Sequence, residues 1–105
     1  MSNQERPVAL ITGAAGDIGQ ATAVGFARRG YDIAVFDRVE ELLAETVALC
    51  EAEGATVHAA GVNQVDFETV HAGVRAAVDR FGRIDALFAN AGYGKMAEPL
   101  TEPLK

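Results

Sequence analysis

Three evenly spaced glycines near the start of the chain are the residues whose type and order best suit a chemical role. Gly13, Gly16 and Gly19 lie within the segment Thr12–Gly19, directly after a short apolar run. Glycine permits a tight turn, close approach of backbone to an anion, and close packing of a helix on a strand. A helix that begins here offers free N–H groups and the positive end of its dipole. The segment therefore predicts a phosphate-binding turn.

An acidic residue follows this turn at a distance that suggests a second contact with the same ligand. Asp37 comes at the end of the next apolar run, at roughly the 20-residue distance where a carboxylate binds the adenosine ribose of a dinucleotide. A carboxylate there repels a 2'-phosphate, which favours NAD. Arg38 could instead accept that phosphate, but position 16 is Gly rather than a basic residue, so NADP remains the less favoured alternative.

Short β-branched runs alternate with amphipathic stretches that end in glycine, a pattern typical of βαβ units around a parallel sheet. The predicted fold class is α/β, a three-layer Rossmann fold with a parallel sheet, here with its first four strands and three helices. We expect the first strand to be central, because it is apolar without alternation. The predicted strands are Val8–Thr12, Asp32–Phe36, Thr56–Val62 and Ile84–Asn90, and the predicted helices cover about 18–29, 39–54 and 66–82.

Helical spacing predicts which face of each helix is buried. In the first helix, Gly30 is the expected end, and the residues that recur at helical spacing are Ile18, Ala21, Thr22, Gly25 and Phe26. The small residues Ala21 and Gly25 are expected to let this helix lie close to the sheet. The second helix is expected to bury Val39, Leu42, Leu43, Thr46, Val47 and Cys50. In the third helix, Asp66 is the expected N-cap, Gly82 the expected end, and Val70, Val74, Val78 and Phe81 the expected buried stripe.

Composition and charge argue against several classes of partner. The formal net charge of −6 and the absence of a Lys or Arg run disfavour nucleic acid. No apolar run approaches the roughly 20 residues needed to span a bilayer, and a cytoplasmic location without membrane partners is expected. The single cysteine, Cys50, cannot form an internal disulfide, and with only His58 and His71 beside it the sequence predicts no metal site.

Two further motifs give the chain a family resemblance. Asn90-Ala91-Gly92 ends the predicted fourth strand, and Phe81-Gly82-Arg83-Ile84-Asp85 precedes it. With the glycine turn, these segments resemble the short-chain dehydrogenase/reductase family over nearly the whole chain. The resemblance implies that Asn90, Ala91 and Gly92 line the ribose side of the cofactor, that Ile18 lies against the pyrophosphate, and that Asn63 takes the place of an aspartate that contacts adenine. The predicted cofactor-binding residues are thus Gly13, Gly16, Asp17, Ile18, Gly19, Asp37, Arg38, Asn63, Asn90, Ala91 and Gly92.

The glycine spacing departs from the common pattern of that family. Asp17 stands where the family has glycine, and the even spacing of Gly13, Gly16 and Gly19 is typical of the extended, epimerase-like branch. The Asn-Ala-Gly motif is typical of the single-domain dehydrogenase branch, which we therefore prefer. A nucleotide-sugar epimerase or dehydratase remains an alternative, and so does a methyltransferase, which shares the glycine turn and the acidic residue.

The catalytic residues implied by the resemblance are not found in the sequence. A Tyr-x-x-x-Lys pair would share one helix face, but Tyr31 is followed at that spacing by Val35 and Tyr93 by Ala97, and the only serine is Ser2. We therefore expect residues 1–105 to be the N-terminal cofactor-binding part of an NAD(P)-dependent oxidoreductase, ending before the catalytic segment. The expected substrate of the longer parent is a small alcohol or carbonyl compound, and a non-catalytic dinucleotide-binding module is the alternative. An exposed edge at the fourth strand predicts a homo-oligomer.

Overall fold

Strands and helices alternate along the chain as the sequence predicts. The computed structural model describes residues 6–90. The elements are β1 (Val8–Thr12), α1 (Asp17–Arg28), β2 (Asp32–Asp37), a 3-10 helical turn (Glu40–Leu43), α2 (Ala44–Ala52), β3 (Val57–Gly61), α3 (Phe67–Phe81) and β4 (Ala86–Phe88). The predicted α/β Rossmann fold is confirmed.

The four strands form a parallel sheet in the order β3-β2-β1-β4. The predicted central position of β1 is confirmed, since Ile11 pairs with Val35 of β2 on one side and with Phe88 of β4 on the other. The strand order reverses at β1, and in open parallel sheets a crevice forms at this point beyond the carboxyl ends of the strands. Asp37 is the last residue of β2 and Asn90 follows the end of β4, so both lie at the same edge of the sheet.

The two central strands, β1 and β2, are covered on both faces, which explains why they are apolar without alternation. One face packs against α1 and α2 through Ala9, Ile11, Ile33 and Val35, together with Ala23, Ala27, Leu43 and Cys50. The other face packs against α3 through Val8, Leu10, Ala34 and Phe36, together with Ala77 and Phe81. The predicted three layers are therefore present, and the predicted burial of Cys50 is confirmed.

The predicted buried face of α1 is wrong. The buried residues are Gly19, Ala23 and Ala27, whereas Ala21 is exposed and Ile18 is 66% exposed. Small and apolar residues lie on several faces of this helix, so the periodicity of the sequence does not identify which face is buried. The choice depends on which face lets the helix come closest to the turn after β1.

The second helix differs from the prediction at its start. The chain forms a 3-10 helical turn before α2, and Val39 and Leu42 are 46% and 62% exposed. Leu43, Thr46 and Cys50 are fully buried, as expected. The apolar side chains at positions 39 and 42 therefore do not belong to the stripe that packs on the sheet.

The third helix begins and ends at the predicted residues. The Asp66 carboxylate accepts a hydrogen bond from Glu68 N at 3.0 Å, and Gly82 ends the helix with φ +82°. The buried stripe is shifted from the prediction: Gly73, Ala77 and Phe81 are buried, whereas Val78 is 37% exposed. Val70 and Val74 are half-buried beside this stripe.

The fourth strand, Ala86–Phe88, is shorter than predicted, and side chains form hydrogen bonds with β1 just beyond each of its ends. Before β4, the Asp85 carboxylate accepts a hydrogen bond from Val8 N at 2.8 Å. After β4, Asn90 N donates to the Thr12 hydroxyl at 2.9 Å. Among the strands within residues 6–90, β4 lies at one edge of the sheet, as predicted, and its Leu87 is 64% exposed. Self-association stays a prediction.

Within residues 6–90, no helix combines the length and the apolar character needed to cross a membrane.

Two helical glycines provide a matched test of the packing. A Cβ at Gly73 would lie 2.7 Å from Val62 Cγ2 and 3.2 Å from the Phe36 ring, whereas a Cβ at Gly25 would meet nothing within 4 Å. Gly25→Ala should raise the free energy of unfolding by about 0.5–1 kcal/mol through helix propensity. Gly73→Ala should lower it by about 1 kcal/mol, because overpacking exceeds that gain. Urea denaturation measures both, and equal stabilisation would contradict the packing of α3.

Cys50 provides a test at alkaline pH. Burial raises the pKa of its thiol, the carboxylates of Glu53 and Glu51 add to this effect, and together they bring the pKa from 9.0 to about 11. Between these values the unfolded chain loses the thiol proton while the folded chain keeps it, so the free energy of unfolding should fall as pH rises. Below about pH 9 both states are protonated and nothing is lost. Denaturation of Cys50→Ala over the same pH range is the control, and it should show a shallower fall than the unsubstituted chain.

Candidate functional site

The turn after β1 is shaped by two glycines that no other residue could replace without displacing backbone. Gly13 has φ +63°, and a Cβ there would lie 2.7 Å from the Asn90 carbonyl oxygen. A Cβ on Gly19 would lie 2.8 Å from the Gly13 carbonyl carbon and 2.9 Å from Ala14 Cα. The missing side chains therefore let the first turn of α1 rest directly on the backbone that follows β1.

The helix start leaves backbone donors without helical acceptors. Gly16 is the N-cap, and the first helical bond runs from Gln20 N to Gly16 O at 2.8 Å. The N–H groups of Asp17, Ile18 and Gly19 precede that bond and are not satisfied within the helix. Together with the helix dipole they form a locally positive region that suits a phosphate group.

Asp37 ties the end of β2 to this turn. Its Oδ2 accepts a hydrogen bond from Ala15 N at 3.0 Å, and its Oδ1 accepts one from Arg38 N at 2.8 Å. The carboxylate is therefore held by two backbone donors at the carboxyl end of the sheet. Each carboxylate oxygen has further acceptor capacity, so these bonds leave room for a ligand hydroxyl.

Asn90 closes the opposite side of the turn. Besides the bond from its N–H to Thr12, its Nδ2 donates to the Gly13 carbonyl at 3.4 Å. Its own carbonyl accepts a hydrogen bond from Gln64 Nε2 at 3.4 Å. This residue therefore joins the ends of β1 and β4 to the loop that follows β3.

Asn63 organises the loop between β3 and α3. Its Oδ1 accepts a hydrogen bond from Val65 N at 3.2 Å, and its carbonyl accepts one from Asp66 N at 2.9 Å. Its N–H donates to the Thr69 hydroxyl at 3.1 Å. The Asn63 side chain thus forms a local turn, and its oxygen keeps one lone pair for another donor.

These segments surround one cavity of about 850 Å³ at the carboxyl edge of the sheet, a volume within the range of small-molecule sites. The predicted residues that line it are Gly13, Gly16, Asp17, Ile18, Asp37, Arg38, Asn63 and Asn90. Gly19 lies beneath the turn and is buried, so its role is to seat the helix. Ala91 and Gly92 lie outside the described residues. The contact of each residue with a cofactor stays a prediction.

Sequence reasoning missed part of the cavity wall, namely Ala15, Leu42, Val62, Gln64 and Val65. Leu42 and Val65 are 62% and 73% exposed and form apolar surface at the cavity. Leu42 was expected in the core of the second helix. Their position in the sequence could have indicated this, because all five residues follow the carboxyl ends of β1, β2 or β3.

The comparison with protein families tests the family resemblance found in the sequence. A model described as short chain dehydrogenase matches residues 7–103. The chain belongs to the short-chain dehydrogenase family. The predicted family resemblance is therefore confirmed, and a methyltransferase is disfavoured. The preference for the single-domain branch stays a prediction.

Individual relatives agree with the family assignment. The short-chain reductase protein NovJ of Streptomyces niveus is 37% identical over 87% of this chain. Among solved structures, an NAD+-bound xylitol dehydrogenase superposes with a TM-score of 0.80 at 39% identity over 83% of this chain. Carveol dehydrogenase from Mycobacterium avium in complex with NAD gives a TM-score of 0.79 at 34% identity over 89%.

The chain spans 35% of the length of NovJ, and 34% and 38% of the two solved chains. Because the match covers about a third of each relative, the shared part is the Rossmann nucleotide-binding fold that residues 6–90 form.

Gly19 and Gly16 should respond differently to the same substitution. Gly19→Ala places a methyl group against backbone atoms that cannot rotate away, and the free energy of unfolding should fall by about 2 kcal/mol or more. At Gly16 the nearest atom to an added Cβ is the Gly13 oxygen at 3.7 Å, and φ −80° suits alanine. Gly16→Ala should change stability by less than about 1 kcal/mol. Similar losses in both variants, measured by urea denaturation, would rule out this account of the turn.

Proposed function

We propose that this chain binds NAD and forms the cofactor-binding part of an oxidoreductase that interconverts an alcohol and a carbonyl compound. The observation that carries the proposal is the convergence of unlike groups on one cavity. The positive start of α1, the carboxylate of Asp37 and the loop at Asn63 all line it. A dinucleotide presents an anionic pyrophosphate, ribose hydroxyls and a planar base, and these groups require that combination.

The residues present fit such a ligand part by part. The open N–H groups at the start of α1 suit the pyrophosphate, and a Cβ added at Gly16 would meet only one atom within 4 Å, the Gly13 oxygen. The Asp37 carboxylate suits the adenosine ribose. The exposed side chains of Leu42 and Val65 offer apolar surface for the adenine ring, beside the Asn63 amide.

When bound, NAD would accept a hydride and NADH would donate one. The residues of this chain bind and orient the cofactor, and they exclude water from the part that they cover. Two related structures are NAD-bound dehydrogenases named for the alcohols xylitol and carveol. By analogy, a small alcohol or carbonyl compound is the substrate class in this proposal.

NAD rather than NADP is the proposed cofactor. The Asp37 carboxylate lines the cavity, and a ribose 2'-phosphate beside it would face charge repulsion at short range. Arg38 also lines the cavity, but only its backbone N–H is bonded to Asp37. The fixed negative charge therefore outweighs the arginine in this preference.

Asp37→Asn tests the proposal and the cofactor preference together. The amide oxygen can still accept from Ala15 N, but the charge is lost. Since a hydrogen bond to a charged group contributes about 1.5–3 kcal/mol, NADH affinity should fall roughly tenfold or more. NADPH affinity should fall less or rise, because the repulsion is removed. Fluorescence titration of the purified chain with NADH and NADPH measures both.

Asp66→Asn is the matched control for this experiment. It changes the net charge by the same amount, and asparagine keeps the N-cap of α3, but position 66 does not line the cavity. Its affinities should match those of the unsubstituted chain. Failure of the unsubstituted chain to bind NADH would overturn the proposed function. An equal loss of NADH and NADPH affinity in Asp37→Asn would overturn the proposed preference for NAD.

A further inference from the structure

A buried hydroxyl on the second helix reaches the phosphate-binding turn. Thr46 lies in α2, its side chain is fully buried, and it does not line the cavity. Its Oγ1 donates to the Ala14 carbonyl at 2.8 Å and accepts from Gln20 Nε2 at 3.0 Å. One hydroxyl therefore joins α2, α1 and the turn between β1 and α1.

The carbonyl that Thr46 holds belongs to a peptide unit that is held at its other end as well. The N–H of the same unit is that of Ala15, which donates to the Asp37 carboxylate at 3.0 Å. A peptide unit is planar, so fixing both its C=O and its N–H fixes its orientation. The next residue is Gly16, the N-cap of α1, which means that this peptide orients the start of the helix.

Neighbouring hydrogen bonds direct the Thr46 hydroxyl to the Ala14 carbonyl. Ala14 N donates to the Phe36 carbonyl at 3.0 Å, so the turn is also joined to the end of β2. A threonine within a helix commonly donates to a carbonyl of its own preceding turn, as Thr22 does to Ile18 O at 2.8 Å. Thr46 donates across elements instead, and the Gln20 amide occupies an oxygen lone pair, which leaves the hydroxyl proton to Ala14.

We propose that Thr46 is a positioning residue that orients the phosphate-binding turn through the Ala14–Ala15 peptide. The inference rests on the proposed function, since it assumes that the turn binds the pyrophosphate of a dinucleotide. Thr46 touches no ligand in this arrangement. It acts through the backbone, and its contribution should therefore concern the pyrophosphate more than the adenosine.

Thr46→Val and Thr46→Ser separate the hydroxyl from the volume of the side chain. Valine retains the shape but leaves the Ala14 carbonyl and the Gln20 amide without their partner, whereas serine keeps the hydroxyl. NADH affinity should fall about tenfold in Thr46→Val, equivalent to about 1.4 kcal/mol. It should stay close to that of the unsubstituted chain in Thr46→Ser. Adenosine, measured by its displacement of NADH, should lose much less affinity than NADH in Thr46→Val.

Thr22→Val is the matched control, because it removes a threonine hydroxyl that bonds only within α1. It should leave the ratio of NADH to adenosine affinity unchanged. Thermal unfolding of every variant shows that each is folded at the temperature of the titrations.

The possible outcomes are distinguishable. If the unsubstituted chain does not bind NADH, the proposed function fails and this inference fails with it. If it binds NADH but Thr46→Val loses affinity for NADH and adenosine equally, or loses none, Thr46 has only a structural role. A loss in Thr46→Ser as large as that in Thr46→Val would also overturn the inference, because the hydroxyl would not be its cause.

Discussion

The contact between the first turn of α1 and the backbone of Gly13 is the constraint on which the rest of the site depends. It exists because Gly19 has no side chain, and a Cβ there would lie 2.8 Å from the Gly13 carbonyl carbon. This approach makes Gly19, Ala23 and Ala27 the buried face of the helix. It also places the positive end of the helix at the edge of the sheet where β1 ends. A helix held farther away would leave its dipole and its free N–H groups too distant to act on an anion.

Side-chain hydrogen bonds hold backbone groups around this contact that the sheet and the helices do not bond. Thr12 and Asn90 join the ends of β1 and β4, Asp37 holds Ala15, and Thr46 holds Ala14. Each bond connects elements that are distant in sequence, so the turn is fixed from several directions. A binding loop that is ordered before its ligand arrives loses less conformational entropy on binding. The shape of the cavity therefore depends on these polar contacts as well as on the apolar core.

The family assignment and the site geometry bear on different parts of the function. A Rossmann fold supports many activities, so the fold by itself does not choose a reaction. The match to the short-chain dehydrogenase family narrows the class of reaction. The cavity at the carboxyl edge of the sheet indicates which parts of a dinucleotide the described residues suit. The substrate class rests on analogy with relatives of which this chain spans about a third.

The order and type of the elements could be predicted from the sequence, because apolar runs, glycine stops and the Asp66 cap act locally. The positions of Gly13, Gly16 and Asp37 at the cavity could also be predicted. Each lies at or just after the carboxyl end of a strand, and in a parallel sheet these ends share one edge. The buried face of α1, the length of β4 and the presence of Leu42 and Val65 at the cavity could not be predicted. They depend on distances between elements far apart in sequence. Thr46 is the clearest case: in the sequence it is one more residue of an apolar stripe. Only packing of α2 beside the turn brings its hydroxyl to the Ala14 carbonyl.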